Sequence, residues 1–248
     1  MIDSGLPVSI DYIFSVKERK VSNMSFIRRL MAAVLILAMT FGLVVVGNAA
    51  TSPSEVVEPA NPGYDPATDT DTETSDGSTV VYQVGDPTVT VLSVERLPNF
   101  PSTKSVYLQN ARDKDNKKVA VTTIGDGKKG VFDSKYGRKF KRIIVKGVTS
   151  VTINKNAFKG SIVTKVELRN QKTKFKKGAF TGTKKSKVEI ELKGAKTASD
   201  VTVSKGAFDG LGKYSVIYVK KSNMSKAEFN KLVAKLRKAG YTGKFIRK

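Results

Sequence analysis

Glu189 and Glu191 lie two positions apart in the alternating segment Lys187 to Lys193, so on a β-strand both would face the same side. Such a carboxylate pair is the equipment of a glycosidase, which needs one acid and one base or nucleophile. Lys187 and Lys193 bracket the pair on that same face, and the plainer reading is a solvated, charge-balanced strand surface. Gly125-Asp-Gly-Lys-Lys-Gly130 matches the G-x-G-x-x-G of dinucleotide sites, but such a site also requires a following helix and an acidic residue about 20 positions on. Val131 to Tyr136 shows no helical pattern and residues 145–151 contain no acid, which leaves a β-turn. Asp113-Lys-Asp115-Asn116 has no later acidic ligand at calcium-loop spacing and reads as a polar turn.

The missing residue types exclude more chemistry than the present ones suggest. The 248 residues include no His, Cys or Trp, so there is no Ser-His-Asp or Cys-His nucleophile, no zinc site of the usual ligand types and no disulfide. No catalytic residue, metal site or cofactor is expected. Length alone allows one or two domains.

Charge divides the chain. The formal net charge is +22, and Val80 to Lys248 holds 39 basic against 12 acidic residues, whereas Ala50 to Thr79 holds seven acids and no base. Upstream, Leu30 to Gly47 is an apolar run interrupted only by Thr40, preceded by Arg28 and Arg29 and followed by Asn48-Ala49-Ala50. Basic, then apolar, then small is the order of a secretory signal peptide, with cleavage expected after Ala49. The run is long for a signal peptide, so an uncleaved membrane anchor stays open. In both cases the bases before the run orient the rest of the chain outward. Met24-Ser-Phe-Ile-Arg-Arg reads as a natural start, which would make residues 1–23 an upstream extension.

The organisation expected is therefore a leader over 1–50 and an acidic linker over 51–79, with Pro53, Pro59, Pro62, Pro66 and an Asp-Thr-Asp-Thr-Glu run. The linker has little apolar area to bury and is expected to be disordered.

Three octets share one pattern: Ile153-Asn-Lys-Asn-Ala-Phe-Lys-Gly160, Phe175-Lys-Lys-Gly-Ala-Phe-Thr-Gly182 and Val203-Ser-Lys-Gly-Ala-Phe-Asp-Gly210. Repeats at such periods signal stacked units, because one unit cannot bury its apolar face alone. Between them, Lys141 to Lys146, Lys165 to Arg169, Lys187 to Lys193 and Tyr214 to Lys220 alternate as strands, which supplies one parallel strand per repeat. Phe158, Phe180 and Phe208 would stack through the core, and each final Gly would take a positive φ at a corner.

The strand followed by x-Lys-Gly-Ala-Phe-x-Gly resembles the BspA-type leucine-rich repeat of surface and secreted bacterial proteins, over roughly residues 139–220. The resemblance implies a β-rich (α+β) leucine-rich-repeat solenoid of short parallel strands, an adhesin-like binding role and no catalytic residues. The rest of the chain supplies caps. Residues 80–138 read as a β-rich N-terminal cap or degenerate repeat, with a hairpin over Val80 to Val84 and Thr88 to Val94 and strands at Val106 to Leu108 and Val119 to Ile124. Residues 221–248 read as a C-terminal helical cap: Ser225-Lys-Ala-Glu228 is a capping box, Phe229, Leu232, Val233 and Leu236 follow at helical spacing, and Gly240 is a stop.

The candidate ligand face is the outward side of the four repeat strands: Arg142, Lys146, Lys165, Glu167, Arg169, Lys187, Glu189, Glu191 and Tyr218, with Ile144, Lys193, Val216 and Lys220 in the same strip. Four strands give a strip about 15 Å across. The partner expected is an extracellular protein or an anionic polymer, with membrane contact only through an uncleaved leader. A second reading uses charge alone: the Lys excess holds the protein on a cell-wall polymer or sulfated glycan, by the counterion release that drives nucleic-acid binding. Export argues against genomic nucleic acid as the target.

Overall fold

In the computed structural model, the described residues are 61–75, 77–85, 88–100, 104–146 and 149–248. The leader, its cleavage point and the Met24 start lie outside them, as do residues 51–60 of the expected linker. The described residues fall within one compact unit, residues 57–248.

The described residues of the linker, 61–75 and 77–79, are folded, contrary to expectation. Strand β1 (Tyr64–Asp65) and strand β2 (Thr70–Ser75) pair antiparallel with each other, and β2 pairs with β3 (Ser78–Val84) from Thr70↔Gln83 to Ser75↔Ser78. The physical reason lies in Thr70, Thr72 and Thr74, β-branched residues at strand period that the acidic composition obscured. One acid of this stretch is also buried with its bonds made: Asp71 accepts from Asn61 Nδ2 at 3.0 Å and from the Arg112 backbone N at 2.7 Å. The expected hairpin follows, with β4 (Val89–Arg96) antiparallel to β3.

Beyond the hairpin the chain turns parallel. Strand β5 (Ser105–Leu108) is followed by a small ribbon of β6 (Asn110–Arg112) and β7 (Lys118–Ala120), then β8 (Thr123–Ile124), so the segment read as one strand from Val119 to Ile124 is split between two sheets. From there each repeat supplies two strands rather than one. They are β9 (Arg142–Val145) and β10 (Ser150–Ile153), β11 (Lys165–Leu168) and β12 (Lys172–Phe175), β13 (Glu189–Leu192) and β14 (Val201–Val203), then β15 (Val216–Val219). Helix α1 (Lys226–Lys238) and a final strand β16 (Lys244–Arg247) close the chain. Six strands form an all-parallel sheet in the order β16-β15-β13-β11-β9-β5. The other large sheet has eight, β1-β2-β3-β4-β8-β10-β12-β14, parallel from β4 onward. The molecule is thus β-rich, with parallel sheets and, among the described residues, one α-helix.

One apolar cluster joins both sheets: Ile143, Val166, Ile190 and Ile217 from the six-stranded sheet meet Val151, Phe175 and Val201 from the eight-stranded one. The octets run through it as an aromatic ladder. Phe158 and Phe180 stack with centroids 4.7 Å apart and planes within 7°, and Phe180 and Phe208 follow at 6.0 Å. Phe132 extends the ladder upstream at 5.8 Å from Phe158, and Tyr241 extends it downstream, edge-on to Phe208 at 5.1 Å.

The octets also hydrogen-bond to one another. Asn156 N donates to Gly178 O at 2.9 Å, Gly178 N to Gly206 O at 2.9 Å, and Gly206 N to Ala239 O at 3.1 Å. This column holds positive φ at 61°, 72° and 73° in Asn156, Gly178 and Gly206, which explains why only Asn or Gly occupies it. The final glycines of the octets, Gly160, Gly182 and Gly210, hold positive φ as expected. The G-x-G-x-x-G segment belongs to the same system: Asn156 Nδ2 donates to Gly127 O at 3.2 Å and Val131 N to Ala157 O at 3.2 Å, so it is the turn stacked on the first octet.

Helix α1 replaces the next repeat. Ser225 Oγ accepts from Glu228 N at 3.2 Å, the forward half of the expected capping box. The Glu228 carboxylate instead accepts from Ala198 N at 2.8 Å and from Lys231 at 2.7 Å, which ties the helix start to the last turn. Leu232 and Leu236 are buried, and Lys235 Nζ donates to Ala198 O and Val201 O, covering the edge of β14.

Phe180 touches three other rings and is 1 % exposed. Truncation to Ala is expected to leave a cavity costing about 3–5 kcal/mol, whereas the exposed Lys176→Ala should be near neutral. Thermal unfolding of the two variants beside wild type checks this, and equal melting temperatures would refute the stacked core.

Candidate functional site

Parallel pairing in register gives the six-stranded sheet straight rows. One outward row reads Tyr107, Ile144, Glu167, Glu191, Tyr218, Ile246, and a second reads Ser105, Arg142, Lys165, Glu189, Val216, Lys244. The positions just past the strands add Lys146, Arg169, Lys193, Lys220 and Lys248. The face is six strands wide, about 24 Å across five spacings, wider than the four-strand strip expected.

Glu191 is not on the solvated strand surface expected for it, and Glu167 of the expected ligand face is buried as well. The side chains of Glu167 and Glu191 are 0 % and 5 % exposed, beneath a cover of cations. Glu167 accepts from Arg142 Nη2 at 2.6 Å and Arg169 Nε at 2.5 Å, and Lys193 Nζ lies 3.0 Å away. Glu191 meets Lys165 Nζ at 2.9 Å, Lys248 Nζ at 3.1 Å and Lys193 Nζ at 3.5 Å, so Lys193 bridges both carboxylates. Ile144 is buried in the same row at 1 %, which shows how deeply this row sits under its flanks.

Burial alone pushes both carboxyls up, but hydrogen bonds from the cations outweigh it. The bonds from Arg142, Lys193 and Arg169 hold Glu167 down at about 2, and those from Lys165 and Lys248 hold Glu191 below the usual carboxylate range. Both carboxylates are thus kept ionised, the reverse of what a general acid requires. Glu189, the other half of the sequence pair, is half-buried in the flanking row between Lys165 and Val216.

Of the nine expected face residues, Arg142, Lys165, Glu167, Arg169 and Glu191 form this one cluster. Lys146 places its Nζ 5.4 Å from the Tyr107 ring centroid, and Tyr218 carries Lys248 Nζ at 4.1 Å. Lys187 stands apart and exposed, lining a separate hollow with Tyr214, Val216 and Lys244. Tyr107 and Lys248 were missed by sequence reasoning. Lys244-Phe-Ile-Arg247 is a short run without clear alternation, and only the parallel pairing of β16 with β15 carries Lys248 to Glu191, 57 positions away.

The turn after β15 adds depth. Asn223 Nδ2 donates to Lys193 O, Arg247 Nε to Met224 O at 2.9 Å, and Lys221 N to Lys248 O at 2.6 Å. Together these brace one wall of a cleft of about 530 Å³ lined by Lys165, Lys193, Tyr218, Lys220, Asn223 and Lys248. No acidic or other cluster able to hold a metal ion occurs among the described residues, and no described helix is long and apolar enough to cross a membrane. No known protein family, curated protein or solved structure matches the chain.

Because the folded carboxyl of Glu167 sits at about 2 against an ordinary 4.5, its contribution to stability is complete above about pH 4.5 and is lost as pH falls from there toward 2. Glu191 shifts in the same direction and adds to the loss. Glu167→Gln is expected to cost about 3 kcal/mol at pH 7, the lower end for a broken buried pair because the freed cations keep access to water. The gap in melting temperature between wild type and Glu167→Gln should narrow steadily from pH 5 to pH 2.5. A gap independent of pH would show that the ion cluster does not contribute in this way.

Proposed function

We propose that the chain is an exported, non-enzymatic leucine-rich-repeat solenoid of the BspA-like type, acting as an adhesin-like binding module at the cell surface or after secretion. The observation that carries this reading is the outward face of the six-stranded sheet. Five of its cationic side chains, Arg142, Lys165, Arg169, Lys193 and Lys248, are held by two buried carboxylates, and an exposed Tyr107 and a half-buried Tyr218 lie toward the two sides of the cluster. The octets, hydrogen-bonded to one another in register and ending on a helix that takes the place of a further repeat, support the solenoid assignment. Tyr107 and Tyr218 stand four strand spacings apart, about 19 Å, a span suited to an extended ligand laid across the strands. A face of this size gives modest affinity per molecule, and useful binding comes from many copies on a surface.

A second reading, retention on an anionic polymer by charge, is favoured by the composition of the same face. Cations outnumber carboxylates on it, and those of the ion cluster keep 30–57 % of their side-chain surface exposed. Such contacts weaken steeply with salt.

The test is retention of the full-length chain on an immobilised anionic polymer at about 50 and about 300 mM salt. Lys146, Lys187 and Lys244 are changed together to Ser, positions that make no ion pair with Glu167 or Glu191. Wild type should be held at the lower salt and released at the higher, and the triple variant should leave earlier. Co-elution of the two proteins at both salts would remove this face from the argument and reduce the Lys excess to a solubility device.

A further inference from the structure

We infer that the cleft at the end of the six-stranded sheet is a specific seat for a tetrahedral oxyanion ester, a sulfate or phosphate group on a polymer. This rests on the binding reading above and names the chemistry of one site within that face.

Four ammonium groups, from Lys165, Lys193, Lys220 and Lys248, converge on the cleft, and Glu191 is the one carboxylate in its lining. Glu191 takes a hydrogen bond from Lys165 at 2.9 Å and from Lys248 at 3.1 Å, with Lys193 at 3.5 Å. Each ammonium has three donors, so most of those donors stay available after Glu191 is served. The four lysines exceed the one carboxylate of the lining by three charges, with Lys193 shared between Glu191 and Glu167, and Glu191 already holds Lys165, Lys193 and Lys248 in place. Preorganised donors of this kind bind an anion at little cost in side-chain ordering.

The type of cation selects the anion. The two arginines of the cluster, whose planar forks suit carboxylates, are committed to Glu167. The cations lining the cleft are all lysines, and compact point charges arriving from several directions suit a tetrahedral group with three terminal oxygens better than a planar one. The walls are built rather than incidental. Asn223 fixes the turn after β15 to the end of β13, Arg247 braces that turn from beneath, and the Tyr218 ring forms an apolar flank under Lys248.

The experiment titrates the full-length chain calorimetrically with three oligomers of equal length and charge: a sulfated oligosaccharide, a glycerol phosphate oligomer and oligoglutamate. Saturable binding of the sulfate or the phosphate oligomer, with oligoglutamate at least tenfold weaker, is expected, and the stronger of the two identifies the source. Lys220→Ser removes one arm of the cleft without touching an ion pair and should weaken that binding about five- to tenfold, a loss of one charge-assisted contact. Lys220→Ser with Lys248→Ser should weaken it further, with melting temperature reporting that the fold is intact. Equal affinity in Lys220→Ser, the double variant and wild type would overturn the inference. If the Lys146, Lys187 and Lys244 triple variant then loses binding, the face still binds and only the cleft is wrong. Preference for oligoglutamate also overturns it, and absence of binding to all three oligomers would sink it together with the anionic-polymer reading.

Discussion

Parallel pairing in register imposes one condition on everything else in this molecule: a residue on one strand lies about 4.8 Å from its counterpart on the next. Along the inward rows, like therefore meets like. Apolar residues profit from that arrangement, as Ile143, Val166, Ile190 and Ile217 do in adjacent positions of one inward row. Aromatic rings profit as well, and the octet phenylalanines form a near-parallel ladder with neighbours on both sides. Backbone conformation is inherited in the same manner. Once Gly178 holds a positive φ and donates to Gly206 O, its counterparts at 156 and 206 must hold it too, and Asn or Gly follows.

Charge is where the condition is hardest to meet. Glu167 and Glu191 are register partners on adjacent strands and nearly excluded from water, so their mutual repulsion has no solvent screening to relieve it. The structure meets this with Arg142, Lys165, Arg169, Lys193 and Lys248, and shares Lys193 between the two acids. Stability does not require this solution, because Ile144 fills the same row by simple burial, and apolar replacements of buried ion clusters are often neutral or better. What the carboxylates add is position. Long basic side chains that would otherwise sample many rotamers are held over the sheet with their outer faces exposed, which is what a charged recognition surface needs.

How much of this was legible in the sequence follows from the range of each interaction. The octets were readable because side-chain identity repeats, and the capping helix because its signals lie within four residues of one another. The second strand of each repeat was not. Ser150–Ile153, Lys172–Phe175 and Val201–Val203 are only three or four residues long and end on the first residue of an octet, so the turn motif masked them. Acidic composition hid Thr70–Ser75 in the same manner, although Asp71 is bonded to Asn61 and to the Arg112 backbone, a partner 41 residues on. Alternation placed Glu167 and Glu191 on the outward side correctly and said nothing of their burial, which depends on cations two, 25, 26 and 57 positions away.

The C-terminal residues join the two themes. A parallel array leaves open edges that invite further pairing, and here the eight-stranded sheet is closed at β14 by α1, whose Lys235 reaches the carbonyls of Ala198 and Val201. The backbone just past that helix supplies the carbonyl of Ala239 to Gly206, and Tyr241 supplies the next ring to Phe208, so the cap imitates the repeat it replaces. Strand β16 then adds a charged edge to the other sheet, with Lys244 and Arg247 in it and Lys248 just beyond. Lys248 completes the cation set of Glu191 and stands over Tyr218. The segment that terminates the fold is therefore also the one that finishes the charged face.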